Sequence, residues 1–356
     1  MDTWPWIPWL TILGVGAVAE CCMHPWSSQQ LFLVTLGREA SAAERALVRR
    51  RRRDNLLLCS LAAVLSWLLR DPLWGTIILW LPALSLLRLV ADASRVRGSV
   101  QRAPGARFAV SLQEPPSISA YVSWPLQVVH VGLIALACAT FALAEPHLGS
   151  VVLHWNAAGQ ADRVGDASML WIMPLLMVFC WGFGWLGPCG VAMERWALPE
   201  VEPERYATLQ LLRRRLIVRT VDVSLLVANL ALGCLWLAAA LSGQRFAPIS
   251  PWAMGVGVVA SVLGLPAVLI AYMPQLSKVQ KELRALSGTD TLGTRDDGWR
   301  WGGLVYHAPH DPALFVPKAV GVGTTLNMGR PAAWVLLAFF VLVPAGLSLL
   351  VVLGAA

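Results

Sequence analysis

Apolar residues along this chain collect into eight runs separated by polar, arginine-bearing stretches. The runs lie near Trp6 to Cys22, Asn55 to Leu69, Leu73 to Ala91, Tyr121 to Ala144, Ser168 to Gly187, Leu216 to Leu241, Trp252 to Tyr272 and Ala332 to Leu353. Several approach the roughly 20 residues that a helix needs to cross a hydrocarbon core. Backbone polar groups cannot go unpaired in lipid, so each run predicts a helix. Run two has 15 residues, rising only about 22 Å at 1.5 Å each; with run three it forms either two crossings or a re-entrant hairpin around Arg70-Asp71-Pro72. Glycines in the fifth and seventh runs (Gly182, Gly184, Gly187; Gly255, Gly257, Gly264) permit close helix contact.

Composition supports this pattern. Apolar residues make up 57% of the 356 and charged residues 14%, against about 25% charged in soluble domains. A disordered chain, a secreted disulfide scaffold and a water-soluble enzyme are excluded. The expected fold class is an all-α polytopic membrane protein with about eight transmembrane helices and a small β-hairpin-containing cytoplasmic segment. Residues 1–274 form the membrane bundle, 275–331 the cytoplasmic segment and 332–356 the last helix.

The net charge of +7 would raise nucleic acid as a partner in a soluble protein. Here the basic residues sit between apolar runs, so membrane lipid is the partner and no direct nucleic-acid contact is expected. Alternate loops hold 24 of the Lys and Arg residues, the opposite loops hold three (Arg70, Arg163, Arg245), and Arg219 stands at a span edge. The positive-inside rule then makes the arginine-rich loops cytoplasmic and both termini outward. Many of the 18 tryptophans fall at span edges as an aromatic belt. Cys59, Cys138, Cys180 and Cys234 lie within apolar runs, which argues against disulfides. The N-terminal MDTWPWIPWL has no basic residue, so no cleavable signal is expected.

Between runs four and five, residues 145–167 form a short outward segment containing HWNAAGQAD. Asn156 and Gly159 are turn formers, and Asp166 or Ser168 can cap the following helix. Read structurally, the segment is a turn joining two helices. Read functionally, His154, Asn156 and Asp162 form a small polar ligand site, with metal a weaker alternative because tight ligand spacing is absent.

The segment HWNAAGQADR, set between two apolar helices and followed by Pro174, resembles the outward loop of the SdpI-like bacterial membrane proteins. That family carries a His-aromatic-Asn-x-x-Gly-x-x-Asp pattern, matched by His154, Asn156, Gly159 and Asp162. The resemblance implies a bacterial cytoplasmic (inner) membrane protein acting in toxin immunity and signalling. It also implies an extracytoplasmic peptide and a cytoplasmic regulator as partners, with a homo-oligomer open. Residues 296–329 are similar to a small uncharacterised domain that accompanies this family, through Trp299 and Gly302, Tyr306 before Pro309, Asp311 and Pro312, Phe315 to Lys318, and Gly321 to Asn327. This chain departs from that domain at Ala308 and Thr324.

Physically, Leu304 to Tyr306 and Leu314 to Val316 flank a HAPHDP turn and predict a β-hairpin. His307 and His310 read as solvated turn residues, and no cofactor is expected. Trp299, Tyr306, Asp311, Phe315 and Asn327 are the partner-binding candidates. Thirty residues make a weak independent core, so the unit leans on Ser277 to Leu286 or on a soluble partner.

Polar residues inside membrane spans are functional candidates: Gln127 and His130 in run four, Asn229 in run six. Arg219 and Asp222 share a helix face three residues apart and read as a local ion pair. No GxSxG, HExxH or P-loop pattern occurs, so no catalytic residue is assigned. The function expected is sensing of, or resistance to, an extracytoplasmic peptide or envelope stress, relayed inward. The alternatives are a small-solute transporter and a membrane-embedded enzyme with a metal site near the outward loop.

Overall fold

A computed structural model of the chain describes residues 7–25, 30–32, 34–35, 39–69, 83–98, 108–110, 116–155, 161–194, 197–199, 202–241, 250–287, 298–318 and 324–354. The helices among them are α1 (Ile7–Met23), α2 (Ala42–Leu69), α3 (Ala83–Gly98), α4 (Trp124–Ala144), α5 (Ile172–Gly184), α6 (Leu186–Met193), α7 (Pro203–Leu241), α8 (Ser250–Ser287) and α9 (Pro331–Gly354). Among the described residues, four stretches are long and apolar enough to cross a membrane: Trp124–Ala144, Ala167–Met193, Pro203–Ala240 and Trp252–Ser287. They coincide with runs four to seven. Shorter apolar stretches, Ile12–Met23 and Pro331–Leu342, fall in runs one and eight. The centre of run three and the Arg70-Asp71-Pro72 turn lie outside the described residues.

Helix α4 shows how one sequence face becomes an interior. Its buried residues are Gln127, His130, Ile134, Ala137 and Phe141, spaced three and four apart as one stripe of an α-helix. On the other faces Val128 is 71% exposed and Leu143 76%. The polar Gln127 and His130 point inward with part of the apolar set, while the outward face is apolar, the arrangement a lipid-facing helix requires.

Among the described residues, helices α7 and α8 form the most extensive pairing. At 39 and 38 residues each is about 57 Å long, nearly twice the hydrocarbon thickness. Their arginine-bearing ends therefore continue beyond any bilayer that the apolar parts span. There Tyr206, Leu216, Ile217, Val218, Met273, Leu276, Val279 and Leu283 pack into one core. Each fully buried Val or Leu adds about 1.5–3 kcal/mol. Within the apolar part the two helices approach at Gly264, where a Cβ would overlap the Val227 side chain, and at Gly257, against Leu235. Both contacts meet the expectation for seventh-run glycines; in the fifth run a Cβ at Gly184 would sit 3.1 Å from Leu225 of α7, whereas Gly182 faces open space.

Helix α2 starts earlier than its apolar run. Ser41 Oγ accepts from the Glu44 backbone N–H at 3.2 Å, and Glu44 Oε2 accepts from the Ser41 N–H at 2.7 Å. This reciprocal cap carries the Arg49 to Arg53 run into helix. Arg52 then pairs with Glu20 of α1 and Arg51 with Asp92 of α3.

The strands are short antiparallel pairs. They are β1 (Gln30–Leu31) with β2 (Val34–Thr35), β3 (Phe108–Val110) with β6 (Ala197–Pro199), and β4 (Ser150–Trp155) with β5 (Ala161–Asp166). In the 298–329 unit β7 (Trp299–Arg300) pairs with β8 (Val305–Tyr306), and β9 (Phe315–Pro317) with β10 (Thr324–Leu326). This corrects the expected hairpin. The runs flanking HAPHDP do not pair with each other; each joins a more distant strand, and a Tyr306–Asn327 bridge holds the two pairs together. The turn is filled by the Asn327 side chain, which occupies the space a direct strand pairing would need.

Candidate functional site

Three polar assemblies are stacked along the bundle. At one end the β4–β5 hairpin sets His154 opposite Arg163 and Trp155 opposite Ala161. The register shifts on either side of His154, so the ladder is irregular there. Asp162 adjoins Arg163 on β5, and Asn156 and Gly159 lie outside the described residues. The base of the hairpin is firmly seated. Val151, Ala167 and Leu170 pack with Phe141 of α4 and Trp236, Ala239 and Ala240 of α7. Phe141 meets Trp171 edge-on, with ring centroids 4.7 Å apart, and Trp171 Nε1 donates to Glu145 at 3.3 Å. Asp166 takes the capping role: its Oδ1 accepts from the Ser168 N–H at 2.8 Å, and the bonds from Ser168 lower its pKa.

In the middle of the bundle a buried network joins α4, α5 and α7. Gln127 donates from Nε2 to Asp222 at 3.0 Å and accepts from Trp181 Nε1 at 2.8 Å. His130 Nε2 lies 3.3 Å from the Asp222 carbonyl, and its Nδ1 lies 3.2 Å from Asn229 Nδ2. A carbonyl only accepts and an amide NH₂ only donates, so these partners select the Nε2–H tautomer. The buried Oδ1 of Asn229 has no hydrogen-bond partner among the described residues. Asp222 is thus spent on Gln127. The expected Arg219–Asp222 ion pair does not form, because Asp222 faces the interior at 3% exposure while Arg219 is exposed.

At the arginine-bearing end Glu194, just past α6, pairs with Arg214 at 3.3 Å, with side chains 1% and 3% exposed. Burial pushes the Glu194 carboxyl up, against the pull of Arg213 and Arg214. The sequence signal for this pair is an acid directly after an apolar span and before an arginine triplet. Beside it sits the 298–329 unit. Tyr306 donates to Asp311 at 2.8 Å. Asn327 Oδ1 accepts from the N–H groups of Ala308 and Gly329, and its Nδ2 donates to the carbonyls of Ala308, Asp311 and Ala313. Trp299 stacks edge-on to Tyr306 at 5.0 Å.

Tyr306, Asp311, Phe315 and Asn327 are therefore turned into the unit, each at most 6% exposed, and shape its surface from within. The unit packs on α6. A Cβ at Gly190 would sit 3.1 Å from both the Phe315 ring and Thr324 Oγ1. Its Trp301–Gly303 turn packs on α3, and Trp334 Nε1 of α9 donates to the Met328 carbonyl at 3.0 Å. Among the described residues, no group of three or more His, Cys, Asp or Glu is arranged to hold a metal.

Residues 132–178, from mid-α4 through the hairpin into α5, match a domain of unknown function, DUF1648. Residues 309–334, in the opposite unit, match a family of unknown function, DUF5808. The two matches coincide with the two segments singled out from sequence. No curated protein and no solved structure matches the chain.

Proposed function

We propose that this chain is a multi-pass protein of a bacterial cytoplasmic membrane, with about eight spans and both termini outward. It senses, or confers resistance to, an extracytoplasmic peptide or envelope stress and relays that state inward, as the resemblance to SdpI-like proteins implies. His154, Asn156, Gly159 and Asp162 form the outward ligand site. The 298–329 unit, shaped by Trp299, Tyr306, Asp311, Phe315 and Asn327, is the inward platform for a regulator. The observation that carries this reading is a short physical route: α5 and α6 begin at the Asp166-capped foot of the hairpin and reach the unit at Gly190. Between those points Trp181 ties α5 to Gln127 and so to α7.

His154→Ala and Asp162→Ala test it. Each is expected to reduce peptide resistance or signalling at least several-fold with normal insertion levels; wild-type behaviour of both would make the hairpin a connector and end the proposal. The buried His130–Asn229 pair supports a second reading, a small-solute path through the bundle. That path would make uptake by proteoliposomes depend on His130 and not on His154. An enzyme reading would make activity follow added zinc and its chelation.

A further inference from the structure

We propose that a cavity at the arginine-bearing end of the bundle binds a phosphate anion, carried as the headgroup of an anionic phospholipid. The cavity, of about 480 Å³, is lined by Ser119, Tyr121 and Ser123 on the approach to α4 and by Leu212, Arg215 and Arg219 on α7. Arg215 and Arg219 are four residues apart and so project from one helix face. Arg215 Nε donates to the Ala120 carbonyl at 2.9 Å, which fixes its guanidinium over the short turn Ile118–Ala120 and leaves its two terminal nitrogens for a ligand. Tyr121, 3% exposed, packs into the core beneath the cavity, and Ser119 Oγ bonds to Ser117 Oγ at 2.8 Å. No carboxylate lines the cavity: Asp222, the next acid along α7, is engaged by Gln127, and Glu194 by Arg214. Two guanidinium groups with the Ser123 hydroxyl are a donor set for a phosphate oxyanion.

The surroundings favour a lipid over a free anion. Leu212 forms an apolar wall of the cavity. Directly after Ser123, α4 presents Trp124, 56% exposed, and one helical turn further on Val128, 71% exposed. An indole at the level of the guanidinium groups, with exposed aliphatic surface beyond, is the order in which headgroup, interface and acyl chain are stacked. Basic pockets between spans on the positively charged side are where acidic lipids are held.

The test uses the full-length protein in detergent, titrated with phosphatidylglycerol, with phosphatidylcholine and with inorganic phosphate, bound species being counted by native mass spectrometry. Phosphatidylglycerol is expected to bind in preference to phosphatidylcholine. Arg219→Gln should weaken it about five-fold and Arg215→Gln with Arg219→Gln about twenty-five-fold, at the usual worth of a basic residue near an acidic lipid. Arg219→Lys keeps the charge and should retain most of the binding. Arg205→Gln, on the same helix but outside the cavity, should leave it unchanged. Retention of inorganic phosphate, lost in the double variant, without lipid preference would keep the site and assign its anion to the free source. Equal lipid binding by wild type and double variant, or an equal loss in Arg205→Gln, would overturn the proposal.

Discussion

The side-chain amide of Gln127 donates to the carboxylate of Asp222 at 3.0 Å, joining α4 to α7 across 95 residues of chain. Because the Gln127 carbonyl also accepts from Trp181, one side chain clamps three helices. Gln127→Leu leaves the Trp181 N–H and the Asp222 carboxylate without these partners, at a cost of about 1–3 kcal/mol. A lowered unfolding temperature in lipid-free detergent is expected. Arg219→Gln, which removes no bond from Asp222, should leave that temperature unchanged; a matching drop would restore the Arg219–Asp222 pairing.

Asn327 plays the same part in the 298–329 unit, with two accepted and three donated hydrogen bonds at 0% exposure. Asn327→Asp keeps the acceptors but loses every donation, and places a buried charge beside three carbonyls. Cleavage within 298–329 by a limiting protease should accelerate by an order of magnitude or more, with the membrane helices unaffected. Unchanged cleavage would mean that the strand pairs hold the unit without this side chain.

Local pattern carried the helices and failed at the partners. The stripe from Gln127 to Phe141 and the four long apolar stretches are legible because lipid forces every backbone bond to be local. The true partner of Asp222 is hidden because spacing along one helix can be read from sequence, whereas a contact with a residue on α4 cannot. The HAPHDP turn was legible from Pro and Asp, but its strands pair outward because Asn327, sixteen residues beyond Asp311, fills the turn. Trp181, placed in the sequence among apolar neighbours, gives no local sign that its indole N–H serves Gln127.

Asp166 predicts a pH dependence. Its carboxyl is held below the ordinary aspartate value by the Ser168 side chain and backbone. A lowered folded-state pKa stabilises above the unfolded value, about 3.9, and the benefit is lost as pH falls through the folded value. The difference in unfolding temperature between wild type and Asp166→Ala should therefore be full at neutral pH, begin to shrink near pH 4, and vanish at lower pH. A difference that persists undiminished in acid would show that the cap is not the charged carboxylate.

The 24-to-three division of basic residues predicts, by the positive-inside rule, an orientation that can be tested. Reporter fusions at Ala161 and Gly288 should report opposite sides of the membrane, the former outward. Both reporters on one side would remove the outward assignment of the hairpin.

The contact at Gly190 tests the proposed relay directly. A Cβ there would meet the Phe315 ring and Thr324 Oγ1 at 3.1 Å each, tighter than van der Waals contact, and Phe315 is itself 6% exposed with little room to retreat. Gly190→Val adds two further methyl groups and should lift the 298–329 unit from α6 without altering the hairpin at the opposite end of the bundle or the bonds of the Gln127–Asp222 clamp. Overpacking of this kind costs about 1–3 kcal/mol, enough to shift a docked unit of thirty residues towards its undocked state while leaving the membrane helices folded. Proteolysis within 298–329 should accelerate, and the unfolding temperature of the helical bundle should stay near that of wild type. Resistance or signalling should then fall with the His154 and Asp162 hairpin unaltered. If docking is lost and the outward response is fully retained, the platform is dispensable and protection resides in the hairpin and bundle alone.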